Sequence, residues 1–128
     1  MILTARILLV SAALVLLAGG AFHASAFTKS FASIPATSLS AFHLGVYKAF
    51  WLLDSSVQII LAAVLVVIAI HPAGNRVFIL LLSLVPAVTA FLLYYFVGRF
   101  FAAHILVFVT AVLLAAAYFA AATQVSVP

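Results

Sequence analysis

Long apolar runs, broken at short intervals by proline, glycine or a charge, set the pattern of this chain and predict helices rather than strands. Four runs are long enough to cross a bilayer, at about residues 5–23, 44–70, 77–97 and 101–122. Between the second and third stands His71-Pro72-Ala73-Gly74-Asn75-Arg76, which combines helix breakers with an interfacial charge. Between the third and fourth there is only Gly98-Arg99, which predicts a tight hairpin of antiparallel helices. Pro86 falls inside the third run and predicts a kink, with Thr89 near enough to bond the carbonyl that proline frees.

The connection from Ala24 to Ala41 has a different composition, rich in Ser, Thr, Ala and Phe, with Pro35 in its middle and Lys29 its charge. Phe27, Phe31 and Phe42 are too many for a solvated linker, and the polar residues between them too many for a span. The segment is therefore expected to form an interfacial helix or loop at headgroup level. Gly19 and Gly20, and the run Ala115-Ala116-Ala117, offer small faces on which helices can approach closely. The first run also has the form of a secretory signal, with Arg6 before it and Ala24-Ser25-Ala26 after it.

Composition agrees with a lipid solvent. Of 128 residues, 70% are hydrophobic and 5% charged, and the mean hydropathy is +1.52, so a water-facing surface cannot be assembled. The expected class is an all-α polytopic integral membrane protein, a single domain with four transmembrane helices in an antiparallel bundle. The five basic residues are too scattered for a nucleic-acid footprint. Arg6 and Arg76 fall on one side, and Lys29, Lys48 and Arg99 on the other, so the positive-inside count gives no orientation. With no cysteine, thiol chemistry, disulfides and Cys-ligated metal are excluded.

The candidate chemistry centres on Asp54, the one acidic residue, within the apolar run Tyr47 to Ile70. An unpaired carboxylate at the bilayer centre costs about 2.5 kcal/mol or more, so it should face protein or a cavity and have a partner. Tyr47, Trp51, Asp54 and Gln58 follow one another at spacings of four, three and four, which sets them on one helix face. At about 1.5 Å per residue Asp54 lies roughly 10 Å from the end that carries Lys48 and Arg99. Tyr94, Tyr95 and His104 reach a similar depth on later helices, and His23 stands at the corresponding end of the first. Arg99, His104, a tyrosine hydroxyl or water are the expected partners of Asp54. The candidate ligand-binding or proton-handling set is thus Trp51, Asp54, Gln58, Tyr94, Tyr95, Arg99 and His104. Each also has a structural reading: Asp54 as a paired group fixing helix register, His104 as a packed histidine, and the aromatics as an interface belt.

A single carboxylate supplies no acid/base pair, and no hydrolase, zinc-protease or phosphate-loop motif occurs. Metal or haem binding through His23, His43 and His104 is an alternative, since facing imidazoles in a bundle can ligate haem.

The Lys48–Trp51 stretch KAFW entering the second run, the Pro-x-Gly turn with Arg76, and the YYFVGR hairpin from Tyr94 to Arg99 resemble small four-span bacterial inner-membrane proteins of the DoxX-like kind. The resemblance implies a four-helix bundle in the bacterial inner membrane and leaves activity open. Small multidrug transporters share the span count but carry their glutamate in the first helix, where this chain has no acid. Sterol-isomerase-like proteins use more than one buried acid. The expected function is non-enzymatic: a small accessory subunit of a membrane complex or homo-oligomer, or a binder of a lipophilic molecule. A proton-coupled transporter using Asp54 and a haem or quinone redox subunit are the alternatives.

Overall fold

Helices are the one local structure that lets an isolated apolar run satisfy its own backbone while turning side chains outward on every side. The computed structural model describes residues 1–35 and 39–121. Among these it contains α1 (Ile2–Ser25), α2 (Phe27–Ala32), α3 (Ala41–Ile70), a 3-10 turn (Ala73–Asn75), α4 (Arg76–Phe96) and α5 (Phe101–Ala121), and no strand. Four helical stretches are long and apolar enough to cross a membrane. Only 22% to 33% of their most apolar windows is buried within the protein, so most of that apolar surface faces outward. Large side chains such as Leu14, Ile60, Phe78 and Phe108 are exposed on all four, far beyond what water tolerates on a monomer.

Local chemistry sets the ends. α3 begins at Ala41, earlier than the expected 44, because Ser40 Oγ accepts the His43 N–H at 3.3 Å and so caps the first turn. α4 stops where Gly98 takes φ +85°, a left-handed conformation that costs a side-chain-bearing residue energy. There the Gly98 N–H donates to the Leu93 carbonyl at 3.1 Å. The expected end of the fourth span at Ala122 and the tail beyond it lie outside the described residues. The connection at residues 24–41 contains α2, six residues long, which lies against α3 and α1, and its residues 36–38 lie outside the described ones.

Pro86 sits buried inside α4. The proline ring frees the carbonyl four residues back, that of Leu82. Contrary to the expectation from the sequence, Thr89 does not serve it and donates instead to the Val85 carbonyl at 2.9 Å. Ser83 donates to Leu80 at 2.7 Å. Each hydroxyl folds back on its own turn because the distance to its local carbonyl is shortest.

α1 is the central member, packed against both α3 and α5, while α4 lies against α5 and scarcely meets α3. Leu9 and Leu16 of α1, Leu65 of α3, Ile79 of α4, and Val109 and Leu113 of α5 are fully buried. Small residues close the interfaces around them, Ala12 and Ala13 on α1 and Ala116 and Ala117 on α5, as close helix approach in lipid requires. Gly20 is tightest: a Cβ there would stand 3.0 Å from both the Ser55 carbonyl oxygen and Ile59 Cγ1.

α1 and α3 also cap one another. Near the start of α1, Arg6 Nη2 donates to the Ile70 carbonyl at the end of α3, 2.8 Å away. Near the end of α1, the Trp51 indole N–H donates to the His23 carbonyl, also at 2.8 Å. The last carbonyls of a helix have no partner within it, so each bond satisfies an orphan group.

Candidate functional site

The close approach at Gly20 presses the end of α1 onto the first half of α3 and brings His23 beside Trp51, Asp54 and Ser55. The His23 and Trp51 rings stack, with centroids 4.1 Å apart and planes 9° from parallel. Phe31 of α2 meets the same indole edge-on at 5.6 Å, so α2 holds the outer wall. Ser55, buried, donates to the Trp51 carbonyl at 3.1 Å, and His23 Nδ1 lies 2.9 Å from Ser55 Oγ. Since the serine proton is already committed, the histidine donates from Nδ1. That nitrogen is also 3.6 Å from Asp54 Oδ2. One turn on, Gln58 Nε2 donates to the same Oδ2 at 2.8 Å. Asp54 Oδ1 accepts nothing from any described residue.

These groups occupy the polar end of a cavity of about 640 Å³ between the four long helices. Its remaining wall is almost wholly apolar: Val15, Leu16 and Gly19 from α1, Leu93 and Val97 beside α4's Thr89, and Ala102, Ile105 and Leu106 from α5. Phe22, Phe50, Phe100 and Phe101 also line it. The size falls in the range of small-molecule sites, and a few polar groups in an apolar wall is their usual make-up. Asp54 is 36% and His23 32% exposed, an exposure directed at this space.

Of the residues expected from the sequence, Trp51, Asp54 and Gln58 are brought together, while Tyr47 on the same stripe is exposed. Tyr94, Tyr95, Arg99 and His104 do not line the cavity. The expected partners of Asp54 are replaced accordingly, by His23 from α1 and Gln58 from its own helix. Helical geometry gives the reason. Thr89, Leu93 and Val97 share the inward face of α4 and its end, and at about 100° per residue Tyr94 and Tyr95 are turned away from it. His104 is likewise rotated from the Ala102 and Ile105 face; its Nδ1 donates to the Phe100 carbonyl at 3.0 Å, and its ring meets Tyr94 edge-on at 5.4 Å. Arg99 is exposed beside the turn.

Sequence reasoning placed His23 at the right depth but outside the set. The signal was the glycine pair one turn before it. The phenylalanines at 22, 50, 100 and 101 gave none, being indistinguishable from lipid-facing neighbours. For haem, the imidazoles are dispersed: His43 Nδ1 is 2.7 Å from Ser40 Oγ at the exposed start of α3, and His104 is turned outward. Among the described residues no three His, Asp or Glu side chains gather closely enough to hold a metal ion.

No family model matches the chain, and neither a curated protein nor a solved structure matches it.

Proposed function

We propose that this is an integral membrane protein, its four long helices crossing the bilayer as an antiparallel bundle, which binds a lipophilic small molecule in the cavity between them. The single observation that carries the reading is the cavity of about 640 Å³, apolar over most of its wall and polar at one end. Lone carboxylate and absent thiol favour binding over catalysis. The DoxX-like resemblance makes the bacterial inner membrane the expected bilayer. Exposed phenylalanines on the outer faces would suit a small subunit of a larger complex or a homo-oligomer.

Trp51 is the single tryptophan and lines the cavity, which makes it the reporter. With the protein in phosphatidylcholine nanodiscs, the neutral quencher N-phenyl-1-naphthylamine is expected to quench its fluorescence saturably, one molecule per chain, beyond the linear partitioning seen in empty nanodiscs. Ala102→Phe, which fills the cavity from α5, should abolish the saturable part. Quenching that never saturates, or that survives Ala102→Phe, would remove the reading.

A second reading is favoured by the 3.6 Å approach of His23 to Asp54: an acid and an imidazole in contact inside a bundle can pass a proton. As a proton-coupled transporter the protein would lose coupled flux in proteoliposomes on Asp54→Asn.

A further inference from the structure

The protein carries five basic residues and one acidic, yet the charge inside it has the opposite sign. None of Arg6, Lys29, Lys48, Arg76 and Arg99 lines the cavity, whereas Asp54 does. No lysine or arginine of the described residues lies within 4.0 Å of that carboxylate. Its protein contacts are a neutral amide and the imidazole of His23, whose Nδ1 also donates to Ser55 Oγ. Oδ2 is used and Oδ1 is not. A partly exposed carboxylate on a mostly apolar cavity wall, with one hydrogen bond and no lysine or arginine beside it, leaves room for a cationic partner.

The rings that line the same cavity have matching chemistry. Trp51 stands one turn from Asp54, and Phe22, Phe50, Phe100 and Phe101 complete an aromatic lining. Aromatic faces attract cations through the ring quadrupole, most strongly where water is excluded. Gln58 donates one of its two N–H groups to Asp54 and carries an acceptor oxygen as well. Carboxylate, amide oxygen and ring faces together select positive charge, and the aliphatic remainder of the wall selects an apolar body.

From this we infer that the ligand is a lipophilic cation, its charged head against Asp54 and its apolar groups against Leu16, Leu93 and Ile105. The inference rests on the cavity being a binding site and adds the sign of the ligand's charge.

Two ions separate charge from shape: tetraphenylphosphonium and tetraphenylborate carry the same four phenyl groups with opposite charge. Equilibrium dialysis against protein in phosphatidylcholine nanodiscs, corrected with empty nanodiscs, should show one saturable phosphonium site per chain and no saturable borate. Asp54→Asn, which keeps size and the Gln58 bond, should weaken the phosphonium about tenfold or more. Equal binding of the two ions, or unchanged phosphonium affinity in folded Asp54→Asn, overturns the inference. The ion comparison is made on the native chain, so it decides even if that variant does not fold. Saturable neutral probe without saturable phosphonium would sink the charge assignment and spare the cavity; no saturable binding of either would sink both.

Discussion

His23 and Trp51 hold each other twice, through ring faces stacked at 4.1 Å and through the indole N–H that donates to the histidine's own carbonyl at 2.8 Å. The contact joins the end of α1 to the first half of α3 and forms one wall of the cavity. Trp51→Phe keeps a ring for stacking and deletes the donor, leaving a helix-end carbonyl unpaired. It is expected to lower stability by about 1 to 2 kcal/mol, read as a shift in thermal unfolding of the protein in nanodiscs. An unshifted transition would show that the bond does not stabilise the fold.

Gly20 sets how near α1 can come to α3. Gly20→Val would drive a branched side chain into the Ser55 carbonyl and Ile59, each 3.0 Å from the Cβ position, and overpacking of this kind costs about 1 to 3 kcal/mol. Gly45, also in α3, has nothing within 4 Å of its Cβ position. Gly45→Ala should therefore be neutral or stabilising, since alanine is the better helix former. Thermal unfolding of the two variants side by side checks the contrast, and equal losses would contradict the packing described.

The hairpin between α4 and α5 depends on the φ of +85° at Gly98. Gly98→Ala is expected to cost about 1 to 2 kcal/mol through the left-handed backbone alone, because nothing stands near enough to clash. Unfolding of that variant measures it, and a stabilised protein would mean the turn adopts another shape.

The boundary of the site can be tested by substitution outside it. Tyr95→Phe and Arg99→Gln alter exposed groups that do not line the cavity. Each should leave the affinity for N-phenyl-1-naphthylamine within a factor of about two, as surface changes remote from a site do. A large loss in either would restore those residues to the site.

The four long helices were legible because hydropathy and helix breakers are local properties: Pro72 just after α3 and Gly98 just after α4 mark the ends by their own backbone chemistry. Half of the site was legible for the same kind of reason, since Trp51, Asp54 and Gln58 share a face by spacing within one helix. The partner of Asp54 was not. Depth along the membrane normal can be counted from sequence, but rotation of one helix about its axis relative to another cannot, and several polar groups, His23, Tyr94 and His104 among them, come to a similar level. What selected His23 was the two-glycine step that lets α1 close on Ser55. What turned Tyr94 and Tyr95 away was the Thr89–Leu93 face of α4, identical in apolar character to its other faces.

Native mass spectrometry of the protein taken directly from membrane into lipid nanodiscs tests the central claim most directly, because a bound molecule is weighed with its host. The account predicts one small lipophilic molecule per chain on the native protein, and none on Ala102→Phe of equal helix content. A native chain that carries no small molecule, or an Ala102→Phe chain that carries the same one, would contradict it.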